Sequence, residues 1–98
     1  RKTQNIFDRL GVELENLDSK KAKELGVEGG VVVKEINDGL IKKNTDMKPG
    51  FIILKINNKE VRSIKDVEKI LEGHKGGVLI EGIYENYPGT VYYAFGID

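Results

Sequence analysis

The segment MKPGFIILKINNKEV, residues 47–61, places a short apolar run between two turn signals. Pro49 and Gly50 suit the centre of a tight turn, because proline fixes φ and glycine tolerates a positive φ. Residues 51–56 are apolar at five of six positions, which predicts a buried central strand. The sequence Asn-Asn-Lys at 57–59 then predicts a reversal of the chain. We expect the core to be densest around this segment.

Two strands and a short helix are expected upstream of the central strand. Residues 11–17 alternate apolar and polar side chains, as a half-buried strand does. Asp18 is placed to cap a helix over residues 19–25, and Gly26 is placed to end it. The β-branched run at residues 30–36 predicts a second, buried strand.

A helical turn is expected before the Pro-Gly turn, and a longer helix is expected after the reversal at residues 57–59. The helical turn is expected over residues 40–45. Apolar side chains at 64, 67, 70 and 71 have the spacing of one helical face. Ser63 precedes them and Asp66 follows three residues later, which is similar to a capping box.

The last part of the chain reads as a hairpin. Residues 78–84 and 90–97 are the two expected strands. Pro88 and Gly89 suit the two central positions of a type II turn between them. With the upstream elements, this hairpin predicts an α+β domain in which strands dominate.

Length and charge exclude several classes of function. The chain has 98 residues, with 16 basic side chains balanced by 16 acidic ones, so it supports one domain. Balanced and interspersed charge argues against nucleic acid as a partner, because phosphate binding needs concentrated positive charge. The apolar runs are far shorter than a membrane span requires. Residues 1–4 do not begin a signal peptide, and we expect the chain to start within a longer protein.

Catalytic and metal chemistry have few candidate residues. The chain has no cysteine and a single histidine, His74. A triad with Ser19 or Ser63 is formally available, but both serines stand at helix starts and His74 follows a helix end. The oxygen-rich turns at 37–39 and 44–46 lack the spacing of a calcium loop. We therefore expect no catalytic residue, metal or cofactor in this chain.

One local pattern suggests ligand binding. Gly11 lies between Leu10 and Val12, immediately before the first expected strand. A tight loop there can turn backbone N–H groups outward and hold a terminal carboxylate, while the strand offers its edge to a peptide. An apolar-glycine-apolar triplet is also common at the start of a strand for structural reasons.

The order of these elements resembles a PDZ domain over nearly the whole chain, from about residue 5 to residue 97. It is most similar to the circularly permuted bacterial type that follows the protease domain in HtrA/Deg serine proteases. The triplet at 10–12 matches the carboxylate loop of that family, and the run Gly-Val-Val-Val at 30–33 matches a family strand. The segment 47–61 is similar to the family pattern L-K-P-G-D-V-I-x-x-I-N-G-x-x-V.

Two positions depart from the family pattern. Phe51 replaces the usual aspartate after Pro-Gly, and residues 37–46 replace a segment of small residues. Both departures are expected to lie away from the peptide groove. The chain's ending, with Ile80–Tyr84 and Tyr92–Gly96, looks like the last PDZ domain of such proteases.

The resemblance implies a fold and a groove. The fold is an α+β, five- to six-stranded, mostly antiparallel and partly open barrel or sandwich with two helices. It implies one PDZ domain over residues 1–98, with residues 1–4 as a linker remnant. The peptide is expected to run antiparallel to the first strand, with Arg9 steering its carboxylate. The implied site comprises a carboxylate loop (Leu10, Gly11, Val12), a groove strand (Glu13, Leu14, Glu15) and a groove helix (Val67, Ile70, Leu71).

The resemblance also implies a function. It describes a non-catalytic, periplasmic module of a serine endopeptidase that captures apolar C-termini of unfolded or misfolded proteins by strand addition. The catalytic triad is then expected upstream in the parent chain, and the other partners are domains and subunits of that protease. A domain that assembles or gates the protease oligomer, with little peptide binding, is the alternative.

Overall fold

The computed structural model describes residues 5–98. The expected linker remnant at residues 1–4 lies outside this range. The described chain contains four short helices: α1 (Ile6–Leu10), α2 (Ser19–Leu25), α3 (Leu40–Asn44) and α4 (Ile64–Leu71). It contains six strands: β1 (Val12–Asn16), β2 (Val31–Ile36), β3 (Ile52–Ile56), β4 (Lys59–Glu60), β5 (Gly76–Tyr84) and β6 (Tyr87–Ile97).

The strands form one antiparallel sheet in the order β1-β2-β3-β5-β6, with β4 paired to β3. The sheet is open, so β1 and β6 are its two edge strands. The expected α+β class with a mostly antiparallel, partly open sheet is confirmed. Helix α3 matches the helical turn expected over residues 40–45, and α1 is an additional single turn that the sequence did not predict.

The core lies between the sheet and the helices. Val31 and Val33 of β2 are 0% exposed, as are Phe51 and Ile56 at the ends of the central segment. Leu71 of α4 is also 0% exposed. The residues around 51–56 therefore hold the centre of the core, as the hydrophobic run predicted.

The expected cap of α2 forms, whereas the start of α4 has hydrogen-bond partners that differ from the expected capping box. Asp18 accepts a hydrogen bond from the Lys21 N–H at 3.2 Å, and Gly26 ends α2 in the left-handed region. The Ser63 side chain makes no capping bond to α4. Asp66 instead accepts from the Arg62 N–H at 2.8 Å, one residue before the expected partner. The capping-box prediction was therefore wrong in its partners.

The two reversals of the chain also differ in outcome. Asn57 and Asn58 have positive φ angles of 51° and 67° and join β3 to β4, as expected for a two-residue hairpin turn. The later turn lies at residues 85–86, because Tyr84 already pairs with Tyr87. Residues 88–89 therefore lie inside β6, beside a register shift, and the type II turn prediction was wrong. An edge strand tolerates proline because no neighbour needs its missing N–H.

Among residues 5–98, no helix is both long and apolar enough to cross a membrane.

Candidate functional site

The edge strand β1 is the first component of the expected groove. It pairs with β2 on one side, and within the described range no strand pairs with its other side. An unpaired strand edge is a template for an added strand, because its backbone donors and acceptors lack partners.

The register of the sheet shows which backbone groups of β1 face the open edge. Val33 donates to the Phe51 carbonyl and accepts from the Gly50 N–H, both at 2.8 Å, so both of its groups face β3. Leu14 lies opposite Val33. Opposed residues in an antiparallel pair exchange both bonds or neither, so the N–H and C=O of Leu14 face the open edge.

The same reasoning applies at both ends of β1. Leu17 N–H donates to the Gly30 carbonyl at 2.9 Å, and Gly11 C=O accepts from the Asn37 N–H at 2.6 Å. The backbone groups of Leu17 and Gly11 thus face β2, so the backbone groups of their neighbours Asn16 and Val12 face away from it. Val12, Leu14 and Asn16 thus present alternate backbone groups along the edge, with the spacing that an antiparallel peptide needs.

Helix α4 lies beside this edge and is tied to it by one hydrogen bond. The Asn16 side-chain Oδ1 accepts from the Ile64 N–H at 2.7 Å. This bond satisfies one of the free N–H groups in the first turn of α4 and takes the place of the serine cap. It joins residues that are 48 positions apart in the chain, so local spacing could not reveal it. Asn16 is a site residue that the sequence reasoning missed.

The expected groove residues of α4 differ in exposure. Val67 and Leu71 are 1% and 0% exposed and belong to the core. Ile70 is half-buried and packs against that core. On β1, Leu14 is half-buried, while Glu13 and Glu15 are exposed. Glu15 pairs with Lys34 of β2 at 3.3 Å, which places its carboxylate over the sheet.

The expected carboxylate loop is compact. Leu10 and Val12 are 2% and 7% exposed, and Gly11 is buried between them. Gly11 has φ +78° and ends α1, and its N–H donates to the Phe7 carbonyl at 2.9 Å. The Gly11 N–H is thus already bonded within the chain. Val12 N–H is the loop donor that faces the open edge.

Gly11 also meets the chain between β2 and α3 at very short range. A Cβ on Gly11 would lie 2.7 Å from the Asn37 carbonyl oxygen and closer still to that of Asp38. The contact is reciprocal, since a Cβ on Gly39 would lie 2.6 Å from the Leu10 carbonyl oxygen. The close approach of two backbones therefore requires glycine at both positions.

Arg9 stands near the loop in a mixed charge cluster. It is half-buried and lines a surface cavity of about 620 Å³ together with Asp8 and Asp38. Lys42 and Lys43 of α3 line the same cavity. Lys42 Nζ is 3.4 Å from an oxygen of Asp38, so Arg9 contributes to a surface whose opposite charges largely offset one another.

Phe51, which replaces the family's aspartate after Pro-Gly, is a fully buried aromatic core residue immediately before β3. Its ring centroid lies 5.0 Å from Tyr84 and 5.1 Å from Tyr93, which are favourable separations for tilted and edge-to-face pairs. The two tyrosine hydroxyls are 2.6 Å apart, and Tyr84 accepts from the Lys48 N–H at 2.9 Å. Burial, and then the bond to Tyr84, raise the pKa of the Tyr93 hydroxyl. An aspartate at 51 would place a charge in this apolar cluster.

Comparison with known proteins adds sequence relatives. No family model matches the chain. A probable periplasmic serine endoprotease, DegP-like, of Pseudomonas putida strain F1 is 36% identical over 63 residues, covering 64% of this chain. The corresponding protein of Chlamydia pneumoniae is 30% identical over 71 residues, covering 69% of this chain. The chain spans only 13% and 14% of the length of these two relatives.

Solved structures show the same fold. An HtrA-type protease, AlgW with decapeptide, has a TM-score of 0.65 and 24% identity, and the match covers 87% of this chain and 27% of AlgW. The HtrA3 PDZ domain bound to a phage-derived ligand (FGRWV) has a TM-score of 0.66 and 15% identity, covering 90% of this chain and 86% of that domain. Sequence and fold together show that this chain is a PDZ domain of the HtrA/DegP type.

Proposed function

We propose that this domain is the peptide-binding module of an HtrA-type serine protease and captures protein C-termini by strand addition to β1. The observation that carries the proposal is the open edge of β1, where Leu14 directs both backbone groups outward beside α4. An added antiparallel strand satisfies these groups and gives the complex its register. The decapeptide named with AlgW and the phage-derived ligand named with the HtrA3 PDZ domain support peptide binding by this fold.

The terminal carboxylate is proposed to bind at the loop of residues 10–12. Val12 N–H faces the edge and is available as a first donor. The Gly11 N–H becomes a second donor when it leaves the Phe7 carbonyl, which loosens the last turn of α1. Each charge-assisted bond contributes about 1.5–3 kcal/mol before ordering costs. Arg9 adds attraction at longer range.

The last side chain of the ligand is proposed to be apolar. It is proposed to meet the half-buried side chains of Leu14 and Ile70, which pack against the core cluster that contains Val67 and Leu71. Burying such a side chain contributes roughly 1.5–3 kcal/mol. After the costs of association and ordering, we expect a Kd on the order of micromolar, which suits transient capture of a substrate.

The parent chain is proposed to supply the catalysis. Ser63 lies at the start of α4, and His74 lies beyond its end with Nε2 2.9 Å from the Gly77 carbonyl oxygen. Ser63 opens α4 through its backbone carbonyl, which accepts from the Asp66 N–H at 3.0 Å, and His74 is engaged with the backbone at the start of β5. We therefore assign proteolysis to residues outside this chain. We propose that the parent protein is periplasmic, as the names of the two DegP-like relatives say of those proteins.

A peptide titration followed by backbone amide shifts tests the proposal. The pentapeptide FGRWV is added with a free C-terminus, and the same peptide with an amidated C-terminus is the matched control. We expect amide shifts at Val12–Asn16 with the free acid. The Kd of the amidated peptide should be at least about tenfold higher, because a charge-assisted bond is lost. Equal binding of both peptides would refute the carboxylate loop. Shifts that bypass β1 would refute strand addition altogether.

A further inference from the structure

The exposed face of the groove strand carries two neighbouring glutamates, Glu13 and Glu35, here called the acidic pair. Glu13 of β1 lies directly opposite Glu35 of β2, and both side chains are exposed. Like charges at directly opposed positions repel each other and weaken a strand pair. Among residues 5–98, neither carboxylate takes part in a salt bridge. A cation from a ligand would therefore lower the electrostatic energy of this face.

The next glutamate of β1 on the same face already has a cation beside it. The register of β1 and β2 shifts between Glu13 and Leu14, which leaves Lys34 as an extra residue in β2, as in a β-bulge. The Lys34 ammonium lies 3.3 Å from an oxygen of the Glu15 carboxylate. The charge of Glu15 is therefore largely offset within the domain, whereas the charge of Glu13 is reinforced by Glu35.

The backbone groups of β1 fix which ligand residues meet these two glutamates. The proposed carboxylate site at the Val12 N–H places the last residue of the ligand beside Val12. Both backbone groups of Leu14 face the edge, so the third-last ligand residue exchanges both of its bonds with Leu14. The penultimate residue then lies opposite Glu13, and the fourth-last lies opposite Glu15. Because side chains alternate between the faces of a sheet, both of these ligand side chains share the exposed face with the glutamates.

We propose that this domain selects C-termini whose penultimate residue is lysine or arginine, and that Glu13 and Glu35 determine this preference. The inference rests on the proposed binding mode at β1. A basic side chain at the penultimate position lies opposite Glu13, with Glu35 one strand further, and offsets the repulsion within the acidic pair. An acidic side chain there adds a third negative charge. The fourth-last position has no comparable preference, because Lys34 offsets Glu15.

The acidic pair contributes to selection among ligands more than to affinity. Single ion pairs between exposed side chains change a binding constant by only about two- to fivefold. The backbone bonds at β1 and the terminal carboxylate are common to every C-terminal ligand, so they do not distinguish one from another. A repelled acidic residue and an attracted basic residue at the same position do distinguish them, because both effects add to the difference in affinity.

Two matched pairs of pentapeptides test the preference by titration of the chain, followed by backbone amide shifts. FGRKV and FGREV differ in charge at the penultimate position, and FKRWV and FERWV differ by the same charge at the fourth-last position. We expect the Kd of FGREV to be at least about fivefold higher than that of FGRKV. The second pair should differ by less than about twofold. The ratio for the first pair should shrink in about 1 M salt, which screens exposed charges.

Variants of the chain test which residues cause the preference. Glu13→Gln combined with Glu35→Gln removes both charges at exposed positions and nearly keeps the side-chain shapes. The Kd ratio of FGREV to FGRKV should then fall below about twofold. Lys34→Gln removes the cation beside Glu15. It should create a preference for FKRWV over FERWV of about two- to fivefold, because Glu15 is then no longer offset.

Three results would overturn the inference while leaving the binding mode at β1 intact. The first is equal Kd values for FGRKV and FGREV, with amide shifts at residues 12–16. The second is an equal preference at both ligand positions, which would assign the effect to the net charge of the peptide. The third is an unchanged ratio in the variant that lacks both glutamate charges. Peptides that do not bind, or that bind without shifts at β1, would instead refute the proposed function, and this inference with it.

Discussion

Substituting alanine for Gly11 should separate two reasons why a glycine is needed. Gly11 combines φ +78° with a close approach to the carbonyls of Asn37 and Asp38. Gly26 has nearly the same φ, +74°, but nothing lies within 4 Å of its added Cβ. Gly39 has an extended φ of 161° and the same crowding from the other side. Gly11 therefore combines a left-handed conformation with crowding, Gly26 has the conformation alone, and Gly39 has the crowding alone.

The magnitudes follow from these contacts. A Cβ in the left-handed region costs about 1–2 kcal/mol, so Gly26→Ala should lower the free energy of unfolding by about that amount. Overpacking against backbone costs about 1–3 kcal/mol, which is the expected effect of Gly39→Ala. Gly11→Ala carries both and should lose roughly 2–5 kcal/mol, a large part of the stability of a small domain.

Urea unfolding of the three variants provides the assay. With a slope of about 1 kcal/mol per M, the midpoint should fall by roughly 1–2 M for Gly26→Ala and by clearly more for Gly11→Ala. Equal losses for Gly11→Ala and Gly26→Ala would refute the close contact between the loop and Asn37–Asp38. If Gly11→Ala does not fold, Gly39→Ala alone still tests the crowding.

Two further predictions concern side-chain bonds. Asn16→Ala removes the acceptor for the Ile64 N–H and should cost about 0.5–1.5 kcal/mol of unfolding free energy, with faster hydrogen exchange at Ile64; unchanged exchange there would contradict the tie between β1 and α4. The raised pKa of Tyr93 means that the folded state favours its neutral form, so its contribution to stability is complete below about pH 10 and is lost as pH rises further. Tyr93→Phe should therefore flatten the decline of the unfolding free energy above about pH 10, measured by denaturant titration, and an equally steep decline would contradict the burial of that hydroxyl.

The sequence alone determined the elements whose signals are local. The apolar run of residues 51–56 between two turns predicted the central strand, and the β-branched residues 30–36 predicted β2. Asp18 and Gly26 bounded α2 at the predicted residues. These features depend on the period of the hydrophobic residues and on local backbone angles. Both are determined by residues close together in the sequence.

Local signals were weaker at the ends of the chain. The five residues of α1 were not predicted as a helix, because a single turn has too few positions to show a period. Pro88 and Gly89 read as a turn, but pairing of Tyr84 with Tyr87 moved the turn to residues 85–86. In that hairpin the cross-strand contacts outweighed the turn propensity of the dipeptide.

The tertiary structure alone decided what the site can offer. It placed β1 and β6 at the two open edges, and it brought Asn16 to the start of α4 across 48 residues of chain. It also gave a second reason for glycine at position 11, which the sequence marked as a source of outward N–H groups. In the fold this glycine is required because two backbone segments touch there. Strand order and backbone proximity arise from contacts between distant residues, and no local pattern encodes them.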